Sequence, residues 1–229
     1  MHALDNVIWQ ALTTRQSAFA ETFDEARRFP REVTSLTAFL EPSLRGYASL
    51  AGLVGPGGTA TLSLAAPYEP LPGWDVVIAF PGLQMVCESG NGASGARTDS
   101  TLAIAELGKQ DSPEMVELAA LTKPGPFGIR TYELGKFLGM RSEGRLIAMA
   151  GERLKVPGYA EVSAVCTHPE HTGRGHARIL MMEIMRGIRD RGETPFLHVK
   201  QDNVRAVELY ERLGFRTRGV VQFTVLRKV

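Results

Sequence analysis

The stretch from Glu161 to Gly192, EVSAVCTHPEHTGRGHARILMMEIMRGIRDRG, constrains the fold more than any other part of the chain, because it reads as a strand, a glycine turn and a helix in immediate succession. Val162 to Cys166 is apolar and β-branched enough for a buried strand, and Pro169 bars it from continuing as a central one. From Gly175 onward Ala177, Leu180, Met181, Ile184 and Ile188 recur at spacings of three and four, the pattern of a helix with one buried face, and Gly192 stops it. Between them, His171-Thr172-Gly173-Arg174-Gly175-His176-Ala177 places small residues where backbone N–H groups can approach an anion. The helix N-terminus adds unpaired donors and partial positive charge, so the unit reads as a phosphate cradle.

The rest of the composition bounds what the cradle serves. The 229 residues suffice for one large domain or two small ones, and 44% hydrophobic with 22% charged residues is ordinary for a soluble globular chain. A formal net charge of +1 gives no global footprint for nucleic acid or an anionic membrane, so neither is expected as a partner. Cys87 and Cys166 are the two cysteines. They fall in different expected domains, which argues against a disulfide framework and for a reducing compartment. The opening MHALDNVIWQALTTRQ lacks a basic region followed by a long apolar run, and no apolar stretch approaches the roughly 20 residues that span a bilayer. A cytoplasmic protein is expected.

Along the chain, Asp5 to Phe23 reads as a helix with Val7, Ile8, Ala11 and Leu12 on one face. Leu44 to Val54 reads as a second, against Gly46 and Gly52, each costing about 1 kcal/mol relative to Ala. Thr59 to Ala65, Trp74 to Phe80 and Leu83 to Cys87 read as strands, the last two parted by Pro81-Gly82. This part holds no chemical motif and is expected to be a packed α/β lobe. Glu88 to Ser100 is rich in Gly, Ser and Asn and reads as a linker, placing a boundary between residues 1–99 and 100–229. After it come a strand at Thr101 to Glu106, a helix capped by Ser112 with Pro113 in its first turn, and a stiff loop from Lys123 to Gly128. A hairpin, Lys136–Arg141 and Arg145–Leu154, turns at Ser142-Glu143-Gly144, and Pro157-Gly158 delivers the chain to Glu161. Pro195 to Val199 is a strand, Asn203 to Leu213 a helix ended by Gly214, and Phe215–Arg218 and Val220–Arg227 are strands that finish the sheet.

Taken alone, GRGHAR could pass for a dinucleotide fingerprint, but Arg178 stands where close helix packing wants Gly or Ala and no run of βαβ units follows. A nucleotide triphosphatase would need Lys-Ser or Lys-Thr after the loop, where Gly175-His176-Ala177 stands. Cys166, His168, His171 and His176 crowd one turn at a spacing that matches no familiar zinc pattern, so no metal is expected. A second motif decides the reading. Asn203-Val204-Arg205-Ala206-Val207-Glu208-Leu209-Tyr210-Glu211-Arg212-Leu213-Gly214-Phe215 resembles the NxxAxxLYxxLGF signature of the GNAT acetyltransferase family. Thr172-Gly173-Arg174-Gly175-His176-Ala177 resembles that family's acyl-CoA loop, in the right order and with a strand between the two. The resemblance covers Thr101 to Val229, looks closest to the FR47-like branch, and implies the GNAT acyl-CoA N-acyltransferase fold, a mixed α/β sheet. The N-terminal lobe then resembles a degenerate copy of that fold. One departure is Thr172, where the family usually has Gln or Arg; Arg174 and Arg178 bring charge nearby.

The resemblance implies acetyl-CoA, or another short acyl-CoA, as co-substrate, and a small-molecule amine or amino acid as acceptor, attacking directly in a ternary complex. Residues 174–177 with Thr172 and Gly173 would hold the pyrophosphate. The strand before the loop splays from its neighbour in this family, so Val165, Cys166 and Thr167 would offer main-chain groups to pantetheine and to the thioester oxygen. Asn203 matches a position that contacts the cofactor arm, and Tyr210 the position that often protonates the leaving thiolate, for which a phenol near pKa 10 is suited. Glu161 begins the strand where several family members place a general base. Alternation puts Glu161, Ser163, Val165 and Thr167 on one face unless a bulge intervenes. Cys166 in a buried strand is expected to pack and not to form an acyl-enzyme. An acyl-CoA-binding protein without turnover is the alternative, and a homodimer is kept open as a partner state.

Overall fold

The computed structural model describes residues 2–64, 69–88 and 102–229; the expected linker lies almost wholly outside them. Helix α1 (Val7–Thr13) leads to strands β1 (Glu21–Phe23), β2 (Ala26–Arg28) and β3 (Thr37–Phe39), a small antiparallel sheet covered by α2 (Leu44–Val54). Then follow β4 (Thr59–Leu64), β5 (Trp74–Val86), β6 (Ile104–Leu107), α3 (Ser112–Thr122), β7 (Phe137–Ser142), β8 (Arg145–Val156) and β9 (Tyr159–Thr167). The chain closes with α4 (His176–Asp190), β10 (Thr194–Lys200), α5 (Val204–Arg212) and β11 (Arg216–Lys228).

One 8-stranded mixed sheet dominates, in the order β4-β11-β5-β10-β9-β8-β7-β6. Its β9–β10 pair is parallel, as the intervening α4 crossover requires, and the other pairs are antiparallel. On one face the apolar stripe of α4 (Leu180, Met181, Ile184, Ile188) packs with Tyr210, Phe215, Met85, Val162 and Leu197. On the other, Ile8 and Leu12 of α1 pack over Val86, Leu154 and Phe196, while Met115 and Leu118 of α3 cover Met149, Ala164 and Cys166. Strands from both sides of the expected boundary at residue 99 share this sheet, because β5 lies between β10 and β11.

Three expected elements differ. The helix expected over Asp5–Phe23 ends at Thr13, and a single 3-10 turn at Ser17–Phe19 precedes β1. Gln16 explains the break: its side chain donates to the Arg153 carbonyl (2.7 Å) and accepts from Lys155 N–H (3.1 Å), bonds that a straight helix could not reach. Trp74–Phe80 and Leu83–Cys87 are one strand. Pro81 is tolerated there because its carbonyl accepts from Gln201, just beyond the end of β10, so its missing N–H faces the place where the partner strand has run out. The two last strands are likewise one, with a register shift between Thr217 and Gly219.

Candidate active site

The site begins with a gap in the sheet. β9 and β10 pair only through Thr194–Tyr159, Pro195–Ala160 and Phe196–Glu161, and beyond those three pairs they diverge. Divergence coincides with a bulge in β9: register against β8 shifts between Met149–Cys166 and Gly151–Ser163, and Ala164 takes φ +51. The bulge breaks strict alternation, turning Ala164 and Cys166 under α3 while Val165 packs against the α4 cluster. His168 donates its N–H to Ile147 of β8 (2.7 Å), so alternation turns the main-chain groups of Thr167 and Val165 to the opposite side, into the opening.

At the wide end of the opening stands the glycine loop. Gly173 and Gly175 have φ +79 and +81, and a Cβ at either would meet no atom within 4 Å, so both conformations and the space above them are reserved for backbone. Gly175 precedes α4 without a side-chain cap, leaving the first-turn N–H groups directed outward. Thr172 turns its hydroxyl to the Pro169 carbonyl (3.0 Å), and Arg174 reaches the Glu170 carbonyl (3.3 Å). The two ends of this loop carry buried polar atoms without a partner among the described residues, Thr167 Oγ1 and both ring nitrogens of His176. Burial, then His171 and Arg174, lower the pKa of the His176 imidazole from its ordinary value. Unpaired buried groups of this kind, about 1–3 kcal/mol each, suit a polar ligand arm running past the loop.

Tyr210 on α5 is 8% exposed and packs edge-on to Phe215 (6.2 Å between centroids). Burial, with Cys166 close enough to oppose a phenolate, pushes its pKa up to about 12. Cys166 is itself pushed up to about 12 by burial, and its Sγ donates to the Ala164 carbonyl (3.2 Å), which describes a packed thiol and not a nucleophile. Asn203 caps α5, accepting from Ala206 N–H (3.3 Å) through Oδ1. The loop, the opening and Tyr210 are thus brought to one region of the fold, as the motif order implied.

Glu161 is placed otherwise. It is 0% exposed, accepts two bonds from Arg153 (both 2.8 Å), a third from Leu154 N–H (3.3 Å), and lies 2.7 Å from His198 Nδ1. Against the cost of burial, Arg153 and then His198 hold its carboxyl far below the usual carboxylate range. A carboxylate so occupied by Arg153, Leu154 and His198 has little proton affinity, and its geometry is that of an anchor, which gives the general-base expectation no support. Glu161 belongs to a row that crosses neighbouring strands: Arg218 donates to Gln84 (2.8 Å), Gln84 meets His198 (3.1 Å), and His198 meets Glu161 and through it Arg153. Sequence reading missed this row. Its signal was a charged or imidazole side chain inside otherwise apolar strands, Arg153 in AMAGERL and His198 in PFLHV, which requires a buried partner; naming the partner needs the strand order. Of the four residues of the metal alternative, His168 and His171 come together, with Glu170, their ligand atoms within 4.8 Å of one another. Arg145 Nη2 already stands 2.9 Å from His168 Nε2.

A mixed sheet opened between two parallel strands, with a glycine loop and helix start at its mouth, defines the acyl-CoA N-acyltransferase class of fold. The profile of the FR47-like protein family matches residues 137–224. A solved structure assigned to the GNAT acetyltransferases, from Novosphingobium aromaticivorans DSM 12444, is 38% identical, with all of both chains covered and a TM-score of 0.90. The chain therefore belongs to the GNAT acetyltransferase family. Among curated proteins, mycothiol acetyltransferase of Rhodococcus erythropolis is 45% identical over 60 residues, 26% of this chain and 20% of that protein. N-alpha-acetyltransferase RimI of Mycobacterium tuberculosis is 36% identical over 87 residues, 37% of this chain and 54% of that protein. These two matches thus span only about a fifth and half of the relatives' lengths.

Proposed function

We propose that the protein transfers the acetyl group of acetyl-CoA to a primary amine of a small molecule or amino acid, by direct attack in a ternary complex. The observation that carries this is the opening of β9 from β10 at the Ala164 bulge, which frees main-chain donors beside an uncapped helix start. Residues Gly173, Arg174, Gly175, His176 and Ala177 cradle the pyrophosphate, and Thr172 packs locally without contributing charge. Val165 and Thr167 turn main-chain groups to the pantetheine and thioester, and Asn203 contacts the cofactor arm with the amide nitrogen its cap leaves over.

The amine nitrogen forms the new C–N bond to the thioester carbonyl carbon. Charge develops on the carbonyl oxygen, where each well-aimed donor is worth about 3 kcal/mol. Collapse breaks the C–S bond, Tyr210 gives its proton to the departing sulfur, the ammonium proton passes to solvent, and Tyr210 takes a proton back from solvent once the products leave. Both curated relatives are named acetyltransferases, which supports the acyl group chosen. Calorimetry with acetyl-CoA, paired with thiol release over a panel of amines, tests the reading: binding with amine-dependent release is expected, and binding without release under any amine would leave an acyl-CoA-binding protein instead.

A further inference from the structure

Arg153 is a buried cation with one edge to spare. Its Nε and Nη2 are spent on Glu161 (2.8 Å each), whereas no described residue takes Nη1. The side chain is only 10% exposed, and Glu161, 0% exposed, is gripped from its far side by His198. The guanidinium is therefore held in one orientation, its entropy already lost. Nη1 lies beside the loop after α3: a Cβ placed on Gly125 would stand 3.6 Å from it, an ordinary contact distance. Gly125, Lys123 and Phe127 of this loop also line a cleft of about 330 Å³ with Val116, Ala119 and Ala120 of α3. Glu161 is the last residue of β9 still paired to β10, so Arg153 stands at the closed end of the opening, on the face that α1 and α3 cover.

Resting on the acyl-transfer reading above, we infer that Arg153 Nη1 recognises the acceptor, donating to a carboxylate or carbonyl oxygen carried by the amine, with Glu161 and His198 as positioning residues. A guanidinium edge that lacks a protein partner in so buried a place selects an oxygen ligand, because an apolar one would leave the donor unpaired. Spacing narrows the class further. Glu161 precedes Val165 by four residues, at most about 13 Å and less by the bulge at Ala164, so the oxygen sits several bonds from the amine. An ω-amino acid or a peptide fits this better than a compact α-amino acid.

Thiol release from acetyl-CoA should be compared for 5-aminopentanoate, pentylamine and glycine, in the wild type, in Arg153→Lys, and in the charge-balanced double variant Arg153→Met with Glu161→Leu, each shown by its melting transition to be folded. Expected is at least a tenfold higher kcat/KM for 5-aminopentanoate than for the other two in the wild type. Both variants should collapse that preference to within about twofold through KM, with acetyl-CoA affinity held. A preference that is absent in the wild type, or that survives in both folded variants, overturns the inference while leaving acyl transfer standing. Absence of thiol release with every amine defeats the acyl-transfer reading instead. Calorimetry of 5-aminopentanoate on the CoA-loaded protein then decides the Arg153 contact separately: binding lost in Arg153→Lys supports it, and equal or absent binding refutes it.

Discussion

Two side chains with similar burial have opposite uses of it. Tyr210 loses hydration and keeps its proton, with a pKa near 12, so the acid form persists at every physiological pH. Activity should rise with pH as the acceptor amine deprotonates and should show no alkaline loss through pH 10; a descending limb between pH 8 and 10 in kcat would remove Tyr210 as the proton donor. Tyr210→Phe should lower kcat by about 100-fold, the lower end of the range of general acid catalysis, with little change in acetyl-CoA affinity. Glu161 instead stays charged, because Arg153 and His198 outweigh desolvation. Its folded pKa lies below the unfolded value, so its contribution to stability is complete above about pH 4.5 and fades as pH falls from there toward the folded pKa. Glu161→Gln strands Arg153 and should cost about 3–5 kcal/mol at pH 7. The gap to wild type should narrow in acid; denaturant melts at pH 7 and pH 3.5 measure it, and a constant gap would contradict the ion-pair account.

At the scale of elements, local chemistry dictated most of what the sequence made legible. The spacing of Leu180, Met181, Ile184 and Ile188 predicted α4, Leu44–Val54 is helical over the range expected, and the turns at Glu143-Gly144 and Pro157-Gly158 lie where their residues place them. What failed was set by distant partners. Asp5–Phe23 reads as a helix on the face of Val7, Ile8, Ala11 and Leu12, yet Gln16 bonds to β8 and breaks it; Pro81 looked like a terminator, yet it sits where β10 has ended. The same limit governed the site. The loop and Tyr210 were legible because their motifs are contiguous, while the Arg153–Glu161–His198 row is assembled from three strands and carries no local pattern. The loop's glycines make a prediction of their own. Gly175→Ala forces an L-residue to φ +81 and puts a methyl into the anion's space, so acetyl-CoA should bind at least tenfold more weakly while stability falls by only about 1–2 kcal/mol. Calorimetry beside a thermal melt separates the two effects.

Across the whole molecule, the N-terminal third is built into the catalytic sheet. β5 supplies Gly82–Val86 to β10 on one side and almost its full length to β11 on the other, and Asp5, Gln16 and Arg15 tie the first helix to β11, β8 and Glu193. A chain of residues 100–229 alone would expose both flanks of that missing strand, and we expect no cooperative unfolding transition from it; a sharp melt would show that the sequence division at residue 99 is also a division of stability. The central claim concerns the gap that this sheet leaves open between β9 and β10. Amide hydrogen exchange with and without acetyl-CoA tests it most directly. Slowed exchange confined to Val165 and Thr167 and to residues 173–177 is the result predicted; unchanged exchange there at saturating acetyl-CoA would contradict it.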